Sequence, residues 1–340
     1  MQGILNLSLE DLAKIFKRQG FAAFASRQIF NWIYKKEVFD FERMTDLPKR
    51  LRHFLKQNFY VISLVLIRRQ ISFDGTQKFL LGLSDQQGIE SVIIPTARRI
   101  TACISTQVGC RFACRFCASG QDGFKRNMTT AEIIEQAIYL RKYIGKRINN
   151  IVFMGVGEPL DNYDNVLGAI RILNSSYSLN IGARKMTIST CGIIPAIKRL
   201  AQENIQIELS ISLHAANNQL RTYLMPINKK YTLEKLIQAS RDYFNITKRQ
   251  VTFEYILIDG INSDLRQARK LTELLVGLDA KVNLIPASPF KNRFSAPNKL
   301  DMLLFRDILI KAGIPATLRR WRGVDIQAAC GQLRLFTKIN

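Results

Sequence analysis

From about residue 100 onward, short apolar runs rich in β-branched residues alternate with helix-length amphipathic segments. The strand-like runs fall at 101–106, 150–155, 185–190, 205–213, 251–258, 281–286 and 315–319. Between them, helix-like segments fall at 129–144, 164–174, 193–203, 232–244, 264–277 and 299–312. A strand that rejoins its sheet in parallel needs a crossover of helical length. This rhythm therefore predicts a parallel sheet with helices outside it. About six such units are too few for an eight-fold barrel and enough for a partial one. The expected class is α/β, with a partial (β/α)6 barrel.

Residues 1–95 read differently. Ser8 is a candidate N-cap ahead of Leu9 and Leu12, with Asp11 three residues on. Further helices are expected over Ser26 to Lys35 and around Pro48 to Gln57. Runs 61–69 and 76–83 flank Asp74-Gly75, a hairpin signal, and another strand is expected near Ser91 to Pro95. The chain thus divides into a small accessory domain over 1–95, helical with a little β, and a core over 96–340. Its 340 residues, 47% of them hydrophobic, can bury a sizeable core. The longest apolar runs, such as Val61 to Ile67 and Ile151 to Val156, fall far below a membrane-spanning length. Glu10 and Asp11 interrupt the first apolar pattern, with no basic n-region or h-region, so a secretory signal is not expected and the compartment is expected to be the cytoplasm.

Lys and Arg number 50 against 27 Asp and Glu, a net charge of +23. That surplus is out of place on an enzyme of small neutral metabolites and favours a polyanionic partner, most simply nucleic acid. Arg111, Arg115, Lys125 and Arg126 flank one loop with only Asp122 opposing them, and 311–340 holds six Lys or Arg against Asp325 alone. Such residues would hold phosphates without reading sequence. For any single one of them, a solvated basic face is the plainer alternative.

Six cysteines are too sparse for a disulfide scaffold, and their placement matters more than their number. Cys110, Cys114 and Cys117 form C-x3-C-x2-C directly after the first core strand, where such folds place their chemistry. Three thiolates on one short loop can each ligate one iron of a [4Fe–4S] cluster, leaving the fourth iron open to a small molecule. Zinc is the alternative, but a closed zinc site wants four ligands, and Cys103 or His214 would have to supply the last at an unusual spacing. Cys330 lies among Ala328, Ala329 and Gly331, and Arg319, Arg320 and Arg322 precede it, which favours a thiolate. The bland reading of Cys103 or Cys330 is a small buried hydrophobe, and Cys191 is read that way.

C-x3-C-x2-C followed by Gly157-Glu158-Pro159 resembles the radical S-adenosylmethionine (SAM) superfamily. Finer motifs are ISTQVGC from Ile104, FMGVGEPLDN from Phe153, ISLHAANNQLR from Ile211, LMPINKKY from Leu224, NLIPASPF from Asn283 and DIQAACGQL from Asp325. Together they resemble the RlmN/Cfr group of RNA adenine methyltransferases, and RQIFNWIYKK from Arg27 resembles that group's accessory helical domain. The resemblance implies a cluster on Cys110, Cys114 and Cys117, two SAM molecules per turnover and an external electron donor. It implies large-subunit rRNA as substrate, with tRNA for some members, and a monomer. Gly157, Glu158, Ser189, Ser212, Leu213 and His214 match SAM-contacting positions. Where the group usually has an Asn ligand, this chain has Ser288 before Pro289, whose hydroxyl reaches less far.

The resemblance further implies that Cys330 takes a methyl group from one SAM and loses a hydrogen from it to a radical made from the second. The methylene radical adds to adenine, and Cys103 then attacks the Cys330 sulfur, forming a transient disulfide and releasing methylated RNA. Glu90 matches the proton acceptor; alone it would read as a surface strand carboxylate. Pro159 leans toward the RlmN branch and adenosine C2, rather than the Cfr branch, which methylates C8 and gives antibiotic resistance. A reading of a different class is a basic RNA-binding or assembly factor with a purely structural cluster.

Overall fold

A computed structural model describes residues 1–288 and 294–336. Strand β1 (Gln2–Gly3) pairs in parallel with β2 (Phe59–Tyr60), and between them lie α1 (Leu9–Arg18), α2 (Ala25–Tyr34) and α3 (Lys49–Asn58). Ser8 caps α1 as expected, its side chain accepting the Asp11 N–H at 3.1 Å. Strands β3 (Val65–Ile71), β4 (Gln77–Gly82) and β5 (Gly88–Pro95) form an antiparallel meander, with Asp74-Gly75 in the first turn. Residues 61–64 do not join β3, although the run 61–69 suggested it.

Strand β6 (Ile100–Cys103) pairs with β5, and from there the sheet turns parallel. A separate hairpin follows, β7 (Gln107–Gly109) with β8 (Phe124–Asn127), which the sequence did not suggest. Helix α4 (Thr130–Ile144) then leads to β9 (Asn150–Phe153), α5 (Tyr163–Asn174), β10 (Met186–Thr190), α6 (Ile194–Ala201) and β11 (Glu208–Ser212). After the short α7 (Asn218–Leu224) come α8 (Leu233–Thr247), β12 (Val251–Leu257), α9 (Leu265–Leu275), β13 (Ala280–Pro286), α10 (Lys299–Lys311) and β14 (Ala316–Leu318). The sheet order β14-β13-β12-β11-β10-β9-β6-β5-β4-β3 does not close on itself among the described residues, which makes this the partial barrel of six βα units that the periodicity predicts. A last strand, β15 (Leu335–Phe336), returns to pair with β5. The sheet runs straight through residue 95, because β5 and β6 pair over Val92 to Pro95. No described helix is long and apolar enough to cross a membrane.

Helix α4 joins the accessory region to the barrel. Ile133, Ile134, Ala137, Ile138 and Leu140 are all buried, because the sheet covers one side and the N-terminal segment the other. Each such side chain contributes roughly 1.5–3 kcal/mol. Polar groups on α4 fix the register of the layers. Gln136 accepts from the Ser105 N–H at 2.7 Å and donates to the Ser105 carbonyl at 2.9 Å. The Ala131 N–H donates to Asn6 Oδ1 at 2.8 Å. Glu135 accepts the N–H groups of Ser63 and Leu64 at 2.8 and 2.9 Å, which is why the chain there leaves the β3 ladder.

Beyond Cys103, β6 gives up its ladder, and Ile104 to Gln107 run against Gly155 to Glu158. The Gly155 N–H donates to the Ile104 carbonyl at 3.1 Å, and the Val156 N–H to Ser105 Oγ at 2.8 Å. A Cβ on Gly155 would stand 2.6 Å from Ser105 Oγ and 2.7 Å from the Ser105 backbone nitrogen. Gly155→Ala should therefore cost about 3 kcal/mol, the scale of overpacking against backbone. Denaturant unfolding measures it, and an unchanged midpoint would contradict this contact. Burial pushes Glu135 up from 4.5 to about 7. The folded chain then holds a proton that the unfolded chain releases, so this group lowers stability as pH rises from about 4.5 to about 7, by up to about 3 kcal/mol. Glu135→Gln should remove that slope from a pH series of unfolding curves.

Candidate active site

The C-terminal ends of β9 to β13 open onto one cavity. Cys110, Cys114 and Cys117 reach it from the loop after β7, and Gly157 and Glu158 from the turn after β9. Ser189 enters from β10, Ser212 and His214 from the end of β11, and Cys330 from the tail. Residues spread over more than two hundred positions thus share one pocket. Leu213, Ser288, Cys103 and Glu90 do not line it. Leu213 packs in the core, and Ser288 is half-buried at the end of the described stretch, with Pro289 and Phe290 of its motif outside the described residues.

Backbone contacts shape the cysteine loop. The Cys110 N–H donates to Gly123 O and the Arg115 N–H to Leu224 O, each at 3.0 Å. Burial pushes the Cys110 thiol up to about 12 and Cys114 well above its ordinary value, and the neighbouring thiols add to both shifts. Thiols so placed become good ligands only when a cation offsets their charge. No three His, Cys, Asp or Glu side chains among the described residues converge on one point, as a single zinc ion would require. Three thiols that face one cavity without converging fit a cubane, in which each thiolate takes its own iron.

Gly157 has φ +106°, and a Cβ there would stand 2.5 Å from the Cβ of Gln107. Only glycine keeps this turn against the segment before the cysteine loop. Gln107 accepts the Glu158 N–H at 2.8 Å, which sets the turn's orientation. The Glu158 carboxylate, expected to grip an ammonium group, is already bonded to two backbone donors. Its oxygens accept the Leu160 N–H at 3.0 Å and the Cys191 N–H at 2.7 Å, tying the β9 turn to the β10 turn. Burial still raises its pKa. Cys191 is buried and lines the cavity, and its backbone carries this tie.

His214 adopts φ +59°, and its Nδ1 accepts the Ile256 N–H at 3.0 Å. The proton of the neutral ring therefore sits on Nε2. Burial, with Arg221 nearby, pushes His214 down to about 3, so the ring is a neutral donor. Arg221 is fully buried beneath the site. It donates to Cys191 O at 2.8 Å, Ser212 O at 3.2 Å and Asn228 Oδ1 at 3.0 Å, clamping the ends of β10 and β11 together.

Cys330 is exposed and Cys103 buried, and both are free thiols. Arg319 interacts electrostatically with both. Burial, and then the Cys330 charge, push Cys103 up to about 12, while Arg319 acts the other way. Arg319 also pairs at 3.9 Å with Oε2 of Glu254, which lines the cavity, and that oxygen accepts no hydrogen bond among the described residues. Glu90 lies behind the tail. It pairs with Lys78 at 3.0 Å and accepts the Arg334 N–H at 2.9 Å. It is two residues from Val92, the cross-strand partner of Cys103.

Glu254, Arg221 and Gln107 were not singled out from the sequence. Their signal was a polar residue within a motif or an apolar run, such as Glu254 in TFEYIL. Two of the four cations flanking the cysteine loop are not free for RNA. Arg111 pairs with Asp161 at 2.8 Å, and Arg126 with Glu132 at 2.8 Å and Asp85 at 2.7 Å. Folding brings Asp161 and Asp85 from elsewhere in the chain, while Glu132 lies six residues beyond Arg126 in the first turn of α4. In the tail, Arg322 lies 3.7 Å from Asp74.

Residues 104–271 match the family model described as radical SAM superfamily, and residues 2–61 the one described as ribosomal RNA large subunit methyltransferase N-terminal domain. A Clostridium novyi protein named probable dual-specificity RNA methyltransferase RlmN is 46% identical over 98% of this chain and 98% of its own. A protein of the same name from Thermotoga neapolitana is 46% identical, with 100% and 99% covered. A solved radical SAM methyltransferase from Sphaerobacter thermophilus has TM-score 0.94 and 42% identity, covering 98% of this chain and 99% of that one.

Anaerobically prepared protein should be brown and bind about four irons, as cysteine-ligated cubanes do. Cys114→Ala should lose both colour and iron. Tightly bound zinc with no iron would overturn the cluster assignment.

Proposed function

The chain belongs to the RlmN family of radical SAM RNA methyltransferases, and from that premise we propose that it methylates C2 of an adenosine in large-subunit rRNA, and an adenosine in tRNA. The observation that carries the proposal is the convergence on one cavity of Cys110, Cys114, Cys117, the Gly157–Glu158 turn, Ser189, Ser212, His214 and Cys330. A dual-specificity RNA methyltransferase is also what the names of the full-length relatives describe. Pro159 supports C2 over C8. Such an enzyme would work in the cytoplasm, on RNA held by the chain's positive charge.

Adenine C2 is a poor nucleophile, so a cofactor must open a carbon–hydrogen bond instead. The [4Fe–4S] cluster on Cys110, Cys114 and Cys117, together with SAM, would supply the radical. Ser189, Ser212 and the neutral Nε2–H of His214 would orient SAM, and the backbone of the Gly157 turn would face its polar end. Cys330 is exposed on a tail loop, where its sulfur can meet first a methyl donor and then an adenine extruded from RNA. Glu90 would take the C2 proton of the adduct once the tail shifts away from it, and the adduct's unpaired electron would return to the redox chain that supplied the first, leaving a closed-shell Cys330–carbon link.

Resolution falls to Cys103. Its thiol must first lose a proton, since burial holds it protonated. The thiolate then attacks the Cys330 sulfur. A sulfur–sulfur bond forms and the Cys330–carbon bond breaks. The electron pair stays with the carbon, which takes a proton and becomes the methyl group. An external dithiol or reductase must return the disulfide to two thiols.

Mass spectrometry of digested rRNA, after turnover with anaerobically reconstituted protein, should show 2-methyladenosine. 8-Methyladenosine would assign the other branch, and iron without SAM cleavage would favour a structural cluster in an RNA-binding factor. The two cysteines should fail at different steps. Cys103→Ala should leave the protein cross-linked to labelled RNA as a slow, nuclease-sensitive band on a denaturing gel, and Cys330→Ala should not. The same band from Cys330→Ala would reject these roles.

A further inference from the structure

Every group assigned to the reaction sits toward the C-terminal ends of the parallel strands or on the tail that folds over them. Their N-terminal ends carry a second feature that the reaction does not use. Arg98 and Arg99 precede β6, Lys146 and Arg147 precede β9, and Lys185 precedes β10, all of them exposed. Arg98, Arg99, Arg147 and Lys185 line one concavity on this floor of the barrel. A second concavity, lined by Lys35, Lys142, Lys146 and again Arg147, adjoins it. The two share Arg147 and Asn180, so they form one groove running from the end of α2 onto the floor. The only carboxylate lining it among the described residues, Glu37, is taken by Arg141 at 2.7 Å. The remaining cations therefore face no negative charge across the groove.

A row of cations with an asparagine amide between them suits a chain of phosphates. A flat anionic membrane cannot follow a concave groove without exposed apolar side chains to bury in it. An acidic electron-donating protein would gain nothing here, because the three cysteines lie at the other end of the strands. Strand β9 alone puts about 13 Å between the two ends. We infer that this groove is a second RNA-binding surface, which takes the sugar–phosphate backbone of the substrate outside the segment that enters the cavity. The inference rests on the reading of the chain as an RNA methyltransferase. An RNA long enough to pass around the barrel is held at two places, and an isolated target hairpin at one.

The test replaces Arg98, Arg99, Arg147 and Lys185 by Gln together in the full chain. A control replaces Lys235, Arg266, Arg269 and Lys270, which removes the same charge from the exposed faces of α8 and α9. On an RNA carrying the target hairpin with its flanking helices, the groove variant should raise Kd and KM about tenfold. It should also flatten the slope of log K against log salt by about 2 to 3, as expected for up to four lost phosphate contacts. Its kcat, and its binding and methylation of the isolated hairpin, should match the parent, and the control should show neither change. Equal losses on both RNAs, or the same loss from the control, would overturn the proposal in favour of general charge. Unchanged RNA affinity with lost binding to phosphatidylglycerol vesicles would overturn it in favour of a lipid surface. Binding is read separately from methylation, so a parent protein that binds both RNAs and methylates neither would sink the functional reading while the groove is still judged by the Kd comparison.

Discussion

The backbone contact between Ile104–Gln107 and Gly155–Glu158 is what the cavity depends on. The first segment leads into the cysteine loop, and the second is the turn that faces it. Ser105 serves both, accepting the Val156 N–H and donating to the Glu90 carbonyl at 2.7 Å. Gln107 accepts from Glu158 and donates to Asn127 and Asp161, which places the β7–β8 hairpin on the same scaffold. Glycine at 155 and 157 lets the two backbones come this close. A side chain at either would push the cysteine loop away from that turn.

The tail completes the site from outside the barrel. The Ala118 N–H donates to Gly331 O at 2.7 Å, and Ser119 Oγ to Leu333 O at 2.9 Å, which pins the residues just after Cys330 to the end of the cysteine loop. Asp325 accepts from Ser72 at 2.6 Å, and Lys78 donates to Gln327 O at 3.3 Å, so the meander holds the far side. Glu90 takes part in the same latch through the Arg334 N–H.

Charge is used in two ways. Around the cavity, Arg221, Glu254 and the neutral His214 are buried, and they bond to backbone groups or to other polar side chains. The low dielectric there makes their orientation stiff and their dipoles effective. At the surface, the net charge of +23 is spread unevenly, and several cations near the cysteine loop are paired off. On the floor of the barrel, the groove cations other than Arg141 have no carboxylate partner among the described residues.

The amino-acid sequence by itself determined the barrel, because alternating apolar runs and helical segments leave few ways to bury both. It also determined the cysteine loop, because metal-ligand spacing within eight residues is local information. The N-cap at Ser8 and the turn at Asp74-Gly75 were legible for the same reason. Tertiary structure alone decided that β6 breaks at Cys103, that Cys103 and Cys330 both interact electrostatically with Arg319, and that the Glu158 carboxylate ties two turns. It alone decided that Arg111 pairs with Asp161 and Arg126 with Asp85. Each of these rests on partners tens to hundreds of residues away, and no periodicity records which side chains a folded chain will bring within 3 Å.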